Sequence, residues 1–67
     1  MNTTKRVENL AALHNISVFE LAKRCNVPYT TIQSTLQRGG QLGIDTIERI
    51  CIGLNMQLYE FFIDEAS

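Results

Sequence analysis

Apolar residues recur three and four positions apart in five short segments of this chain. That spacing places them on one face of a helix, and no segment alternates with the period of two that is typical of a half-buried strand. The pattern therefore predicts an all-α fold of five helices, at about residues 4–14, 18–25, 29–37, 44–54 and 58–63. We expect these helices to share one core, formed by Val7, Leu10, Ala11, Leu21, Ala22, Cys25, Ile32, Leu36, Ile47, Ile50, Cys51, Leu54, Leu58, Phe61 and Phe62.

Three asparagines separate these segments, and each is followed by an apolar residue. Asparagine is one of the few residues besides glycine that adopt the left-handed backbone conformation at a helix end. The apolar residue after it can then fold back onto the helix that has just ended. We therefore predict helix C-terminal caps at Asn15-Ile16, Asn26-Val27 and Asn55-Met56.

The segments also carry signals for helix starts. Ser17 and Glu20 have the spacing of a capping box, in which a serine and a glutamate satisfy each other's backbone N–H groups. Gln57 and Glu60 repeat this layout with a weaker capping residue. Pro28 suits the start of the third helix, where its missing N–H costs nothing. Three glycines within residues 39–43 predict a connector between the third and fourth helices.

Residues 17–38 combine a capped helix, a tight turn at Asn26 and a second helix that begins near Pro28. This is the layout of a helix-turn-helix, whose second helix can enter the major groove of DNA. The second helix is rich in hydroxyl and amide side chains, and Arg38 is its one charged residue. A helix without carboxylates does not repel phosphate, so its outer face suits contact with DNA.

Composition places limits on this interpretation. The chain has 67 residues, which predicts a single domain spanning residues 1–67. Its formal net charge is −1, which argues mildly against a nucleic-acid partner, but residues 1–39 carry +3 and residues 40–67 carry −4. A local basic face can still meet phosphates. The sequence shows no membrane-spanning run and no signal peptide, so we expect a cytoplasmic protein without a membrane partner.

Few residues suggest other chemistry. Cys25 and Cys51 fall among apolar positions, and we expect free thiols in the core. Two cysteines and the lone His14 are too few for a metal site. Ser17 and His14 lack an evident orienting carboxylate and oxyanion site. We therefore expect no enzymatic activity, no cofactor and no small-molecule substrate.

The stretch SVFELAKRCNVPYTTI, residues 17–32, resembles the lambda-repressor-like helix-turn-helix family of Cro and XRE-type transcriptional regulators. Residues 44–51 and 54–62 resemble the fourth and fifth helices of that family. The resemblance extends over about residues 5–63 and implies a compact five-helix domain with its helix-turn-helix at helices 2 and 3. It also implies sequence-specific binding to double-stranded DNA, by a homodimer joined through the helix 4–5 region on a palindromic operator.

The resemblance also suggests which side chains meet DNA. The positions that match base-reading residues of the family are Tyr29, Thr30, Gln33 and Ser34. The positions that match backbone contacts are Ser17, Val18, Phe19, Thr31, Gln37 and Arg38. Hydroxyl and amide groups of this kind can bond base edges, and threonine can offer a methyl group to thymine.

Two hypotheses from different classes remain open at this stage. In the first, the protein is a small transcriptional regulator, a repressor that reads its operator with the third helix. In the second, the same fold is a protein-interaction module, such as an antirepressor or an antitoxin subunit, and Tyr29 with the threonine-rich face docks a protein. The acidic balance of the chain motivates the second hypothesis.

Overall fold

The computed structural model describes residues 2–63, and in that range it consists of five helices without a strand. They are α1 (Thr3–Leu13), α2 (Val18–Arg24), α3 (Tyr29–Arg38), α4 (Ile44–Gly53) and α5 (Leu58–Phe61). The predicted all-α fold is confirmed, and every predicted helix is present. The largest difference is at the end of α5, which stops at Phe61 after one turn, two residues before the predicted end.

The three predicted asparagine caps are confirmed. Asn15, Asn26 and Asn55 adopt the left-handed conformation, with φ of 60°, 58° and 56°. In each case the next residue donates its N–H to a carbonyl five residues earlier, at 2.9 Å: Ile16 to Ala11, Val27 to Ala22 and Met56 to Cys51. This bond is the mark of a Schellman cap. The same device therefore reverses the chain after α1, α2 and α4.

The starts of the helices are less uniform. The Ser17 hydroxyl accepts a hydrogen bond from the Glu20 N–H at 3.0 Å, as predicted. The reciprocal bond, from the Ser17 N–H to the Glu20 carboxylate, is not formed within residues 2–63. At α5 the Gln57 N–H donates to the Glu60 carboxylate at 2.6 Å. Each predicted box therefore contributes at least one of its two capping bonds.

The core contains most of the predicted side chains, including Val27, which was expected to fold back from the Asn26 cap, and it contains Leu42 in addition. Three predictions of burial were wrong: Leu58 and Phe62 are exposed, and Leu36 is half-buried. A helix of one turn has room to bury one large side chain, which is Phe61, and Phe62 lies about 100° further around the axis. In α3 the core position belongs to Thr35, whose hydroxyl donates to the Thr31 carbonyl at 2.8 Å and can therefore be buried.

Arg6 is a buried charge, although it is one of the cations counted in the +3 balance of residues 1–39. Its side chain is 6% exposed, and its guanidinium reaches the end of α5. Nε donates to the Phe61 carbonyl at 2.7 Å, and Nη2 donates to the Glu60 carbonyl at 2.9 Å. Carbonyls at a helix C-terminus carry partial negative charge, so they suit a cation. Arg6 therefore ties the first helix to the last and is removed from the surface that could meet DNA.

The two cysteines are buried free thiols, as predicted. The Cys25 thiol lies 3.6 Å from the Ile50 carbonyl, at the contact between α2 and α4. Burial raises the pKa of both thiols, so they stay protonated at neutral pH. Gly53 permits this contact, because a Cβ on it would lie 2.5 Å from the Cys25 sulfur and 2.7 Å from its Cα.

The contact at Gly53 predicts that replacing this helical glycine by alanine lowers the unfolding free energy, which is the opposite of the usual effect. Alanine is the better helix former by about 1 kcal/mol, so Gly53→Ala stabilises the protein if propensity decides. We expect the opposite, a loss of about 1–3 kcal/mol of unfolding free energy, because the new methyl group overpacks the α2–α4 contact. Urea denaturation followed by circular dichroism measures the change.

The matched control is Gly43→Ala. A Cβ at Gly43 meets nothing within 4 Å, and the residue lies just before α4. The expected loss there is about 0.5 kcal/mol, because Gly43 is the N-cap of α4 and glycine is a better N-cap than alanine. A Gly53→Ala protein as stable as the parent would contradict the tight approach of α2 and α4.

Candidate nucleic-acid interface

The turn between α2 and α3 sets the direction of α3. Cys25 ends α2, Asn26 takes the left-handed conformation, and the buried Val27 bonds back to Ala22. Pro28 then leads into α3 with φ of −59°, and its carbonyl accepts from the Thr31 N–H at 3.0 Å. Two helices joined by so short a turn, with an apolar residue tucked beneath it, form a helix-turn-helix.

The inner side of α3 is held by packing. Ile32 is buried against the core, and Thr35 is buried one turn further on. Leu36, the second predicted anchor, is only partly covered. The residues of α3 have modest helix propensity, so contact with α1 and α2 stabilises the helix more than its own sequence does.

The outer side of α3 carries the four predicted base-contact residues. Positions 29, 30, 33 and 34 lie on one helical face, since residues one turn apart are neighbours. Thr30 and Ser34 are exposed, whereas Tyr29 and Gln33 are half-buried. The Ser34 hydroxyl makes a long bond of 3.4 Å to the Thr31 carbonyl, and the Thr30 and Gln33 side chains make no hydrogen bond within residues 2–63. The structure thus brings together a polar, uncharged face with free donors and acceptors.

Five of the six predicted backbone contacts form two groups, one before and one after this face in the chain, and the sixth is Thr31. Ser17, Val18 and Phe19 lie at the start of α2. The N–H groups of Val18 and Phe19 are in the first turn and have no helical acceptor, so they are open to an anion such as phosphate. Thr31 lies on α3 itself and is exposed.

The second group lies at the end of α3. Gln37 and Arg38 are exposed, and one Arg38 nitrogen is 3.4 Å from the Thr35 hydroxyl. The N–H groups of Gly39 and Gly40 already bond to carbonyls of α3, so the side chains of Gln37 and Arg38 are what this group can offer to phosphate.

Hydrogen bonds that join Thr3 to Gln41 and Leu42, which the sequence did not indicate, hold the loop after α3; we call them the Thr3–Gln41 clasp. The Gln41 side-chain oxygen accepts from the Thr3 N–H at 2.8 Å and from the Thr3 hydroxyl at 2.9 Å. The Leu42 N–H donates to the same hydroxyl at 2.7 Å. These partners are 38 and 39 residues apart, and no spacing in the sequence indicates such a contact. The clasp fixes the end of α3 relative to the start of α1.

Phe19 and Tyr29 form an aromatic pair beside the turn. Their ring centroids are 5.4 Å apart in an edge-to-face arrangement, and the Lys23 ammonium lies 6.0 Å from the Phe19 ring centroid. Phe19 remains 53% exposed. The pair lines an open groove of about 530 Å³ together with Ala22, Lys23, Asn26, Val27, Pro28 and Arg49. The ring of Phe19 therefore packs beside Tyr29 in this groove, whereas its backbone N–H lies in the first turn of α2.

These features define a class of protein: an all-helical domain with a helix-turn-helix whose second helix presents an uncharged polar face. The chain belongs to the family of the Cro/C1-type HTH DNA-binding domain, whose model matches residues 6–67. It is therefore a DNA-binding domain of the kind found in transcription regulators, and the family resemblance seen in the sequence is confirmed.

Comparisons with curated proteins and with solved structures found no match. The individual DNA contacts of this chain thus remain predictions from the family pattern. Among the described residues, no helix has the length and apolar character needed to cross a membrane.

The Ser17 cap gives a second prediction. Ser17→Ala removes the acceptor of the Glu20 N–H, and we expect a loss of about 1 kcal/mol of unfolding free energy. Ser17→Asp restores an equally good capping oxygen and should recover most of that loss. Thermal unfolding of the two variants measures the difference.

Ser34→Ala is the matched control, since Ser34 is exposed within α3 and bonds only weakly. It should change stability by less than about 0.5 kcal/mol. If Ser17→Ala and Ser34→Ala leave stability equally unchanged, the cap does not hold the start of α2.

Proposed function

We propose that this protein is a sequence-specific transcriptional regulator, a repressor, that binds a palindromic operator as a homodimer. In this proposal α3 lies in the major groove, with Tyr29, Thr30, Gln33 and Ser34 at base edges. A dimer would place two copies of α3 about 34 Å apart, one turn of DNA. Because the partner is DNA, we expect the protein to act in the cytoplasm.

The observation that carries the proposal is the outer face of α3. It joins the side chains of Thr30, Gln33 and Ser34, which make only one long hydrogen bond within residues 2–63, to a helix that packs firmly by its other side. Base edges in the major groove present the donors and acceptors that such groups can bond.

The backbone contacts would orient the protein on the duplex. Open N–H groups at the start of α2 and the side chains of Gln37 and Arg38 lie near the two ends of the helix-turn-helix, and each group can meet one phosphate strand. Such contacts fix register without carrying sequence information. Thr31, exposed beside the base-contact face, would add a further hydroxyl to phosphate.

The α4–α5 end supplies an apolar surface for a dimer. Ile52 is 80% exposed, and it lines a groove of about 390 Å³ with Met56 and Leu58. Tyr59, Phe62 and Ile63 are exposed nearby in the chain. Neighbouring apolar side chains left open to water are typical of an interaction surface. In a two-fold dimer the same side chains of both copies would be buried against each other.

A second candidate function rests on the groove beside Phe19. An exposed aromatic ring, two cations and no carboxylate among the lining residues would suit an acidic protein segment. In this alternative the fold works as a protein-interaction module, such as an antirepressor or an antitoxin subunit. The two functions share Tyr29, but Thr30 and Ser34 belong only to the base-contact face and Phe19 lines only the groove, so mutation can separate them.

The DNA-binding proposal is tested with the paired substitution Thr30→Asp and Ser34→Asp. Two carboxylates on the outer face would repel the duplex and remove two base contacts, so affinity for promoter DNA of its own gene should fall at least about 30-fold. Stability should change little, because both positions are exposed and the aspartate at position 30, in the first turn of α3, interacts favourably with the helix dipole. Fluorescence anisotropy against specific and scrambled duplexes measures the affinity.

Phe19→Ala is the matched variant for the groove. It keeps the backbone N–H and removes only the ring that packs on Tyr29, so affinity for DNA should fall much less than with the double aspartate change. Regulation that survives the double aspartate change and is lost with Phe19→Ala would favour the interaction module. Binding to promoter DNA no tighter than to scrambled DNA would rule out the specific regulator.

The dimer is tested with Ile52→Asp. A charge at the centre of the apolar surface should shift the protein toward monomer and weaken operator binding, with secondary structure unchanged. Leu13→Asp is the control, since Leu13 is also an exposed apolar side chain, 69% exposed, but lies on α1 and not at the α4–α5 end. Sedimentation equilibrium measures the self-association of each variant. If both variants self-associate as strongly as the parent protein, the interface lies elsewhere.

A further inference from the structure

The outer face of α3 limits which base pairs it can read. From Tyr29 to Gln37 the helix contains no arginine, lysine, histidine, asparagine or carboxylate. In the major groove, guanine is read best by the paired donors of arginine or lysine, and cytosine by a carboxylate that accepts from its amino group. The base-contact face of α3 holds neither kind of side chain.

The same face does hold the side chains that suit adenine and thymine. A glutamine amide can bond N6 and N7 of adenine with its oxygen and its nitrogen together. The Gln33 amide makes no hydrogen bond within residues 2–63, so both of its groups are available. Gln33 is also half-buried, which restricts its rotamers before DNA arrives and lowers the entropy lost on binding.

Thr30 supplies the complementary contact. It lies one turn before Ser34 on the exposed face, and its β-branched side chain has few rotamers. A fixed methyl group on a recognition helix can pack against the 5-methyl group of thymine, which no other base of DNA presents in the major groove.

Arg38 is the one residue of α3 with the paired donors that suit guanine, and its place argues against that role. It is the last residue of the helix, nine positions after Tyr29. At 1.5 Å per residue it lies about 13 Å along the axis, whereas recognition helices contact bases with their N-terminal residues. Arg38 is therefore placed for phosphate.

We propose that α3 is a reader of A·T base pairs. The base pair facing Gln33 presents adenine to its amide, and the base pair facing Thr30 presents a thymine methyl group to its methyl group. This inference rests on the proposed function and adds to it the class of operator: half-sites whose contacted steps are A·T pairs.

The test is selection of duplexes from random DNA by the full-length protein, with sequencing of the enriched pool. We expect half-sites with A·T pairs at the contacted positions. Thymines in the selected site are then replaced one at a time by deoxyuracil, which lacks the methyl group. At the position facing Thr30 affinity should fall about fourfold, the effect of exposing one methyl group.

Two matched variants identify the reading side chain. Gln33→Arg should move the preference at one base pair from A·T to G·C, because arginine bonds guanine. Gln37→Arg adds the same charge near the end of α3 and should raise affinity without changing the base preference. A shift of base preference in Gln37→Arg but not in Gln33→Arg would overturn the assignment.

The outcomes distinguish a failure of the A·T inference from a failure of the proposed function. Enrichment of G·C pairs at the contacted positions, or deoxyuracil without effect at every position, would overturn the A·T inference while DNA binding stands. A pool with no enriched sequence would overturn the proposed function itself.

Discussion

The left-handed conformation of Asn26 is the constraint on which the placement of α3 depends. One residue with φ of 58° reverses the chain, and the next, Val27, bonds back to Ala22 and enters the core. A β-branched side chain at that φ would cost about 1–2 kcal/mol, so the position favours asparagine or glycine. Asn15 and Asn55 repeat the device, which allows three helix ends to be closed without long loops. Gly39, with φ of 68°, ends α3 in the same conformation, so four left-handed residues close the first four helices.

Because packing and turns hold α3 in place, the side chains on its outer face are free to form hydrogen bonds with a partner. Ile32 and Thr35 anchor the helix from within. Arg6 joins α1 to the end of α5, and the Thr3–Gln41 clasp joins the start of α1 to the loop after α3. The residues left outward can therefore be weak helix formers, chosen for hydrogen bonding. The same arrangement places Arg6 inside and leaves few cations on the recognition surface, so the acidic composition of the chain and its DNA-binding family are compatible.

Local signals made much of this fold predictable. Asparagine followed by an apolar residue marked three helix ends, and the capping serine and the proline marked two starts. Long-range contacts were not predictable in the same way. The burial of Arg6 depends on carbonyls 54 and 55 residues away, and the clasp at Thr3 depends on a partner 38 residues away. The choice of Thr35 over Leu36 depends on a hydroxyl bond that hydropathy does not register. The predicted base-contact residues lie together on α3, but spacing alone does not say which base each one meets.

We propose that recognition relies on uncharged side chains held by a rigid turn, with few ion pairs to phosphate. The decisive measurement is the dependence of operator affinity on salt concentration, since each neutralised phosphate steepens the logarithmic slope by about 0.9. With Arg38 the one cation on α3, we expect a slope of about −2 to −4 for a dimer. A slope of about −8 or steeper would mean that many phosphates are neutralised, and recognition would then rely on ion pairs instead of uncharged side chains.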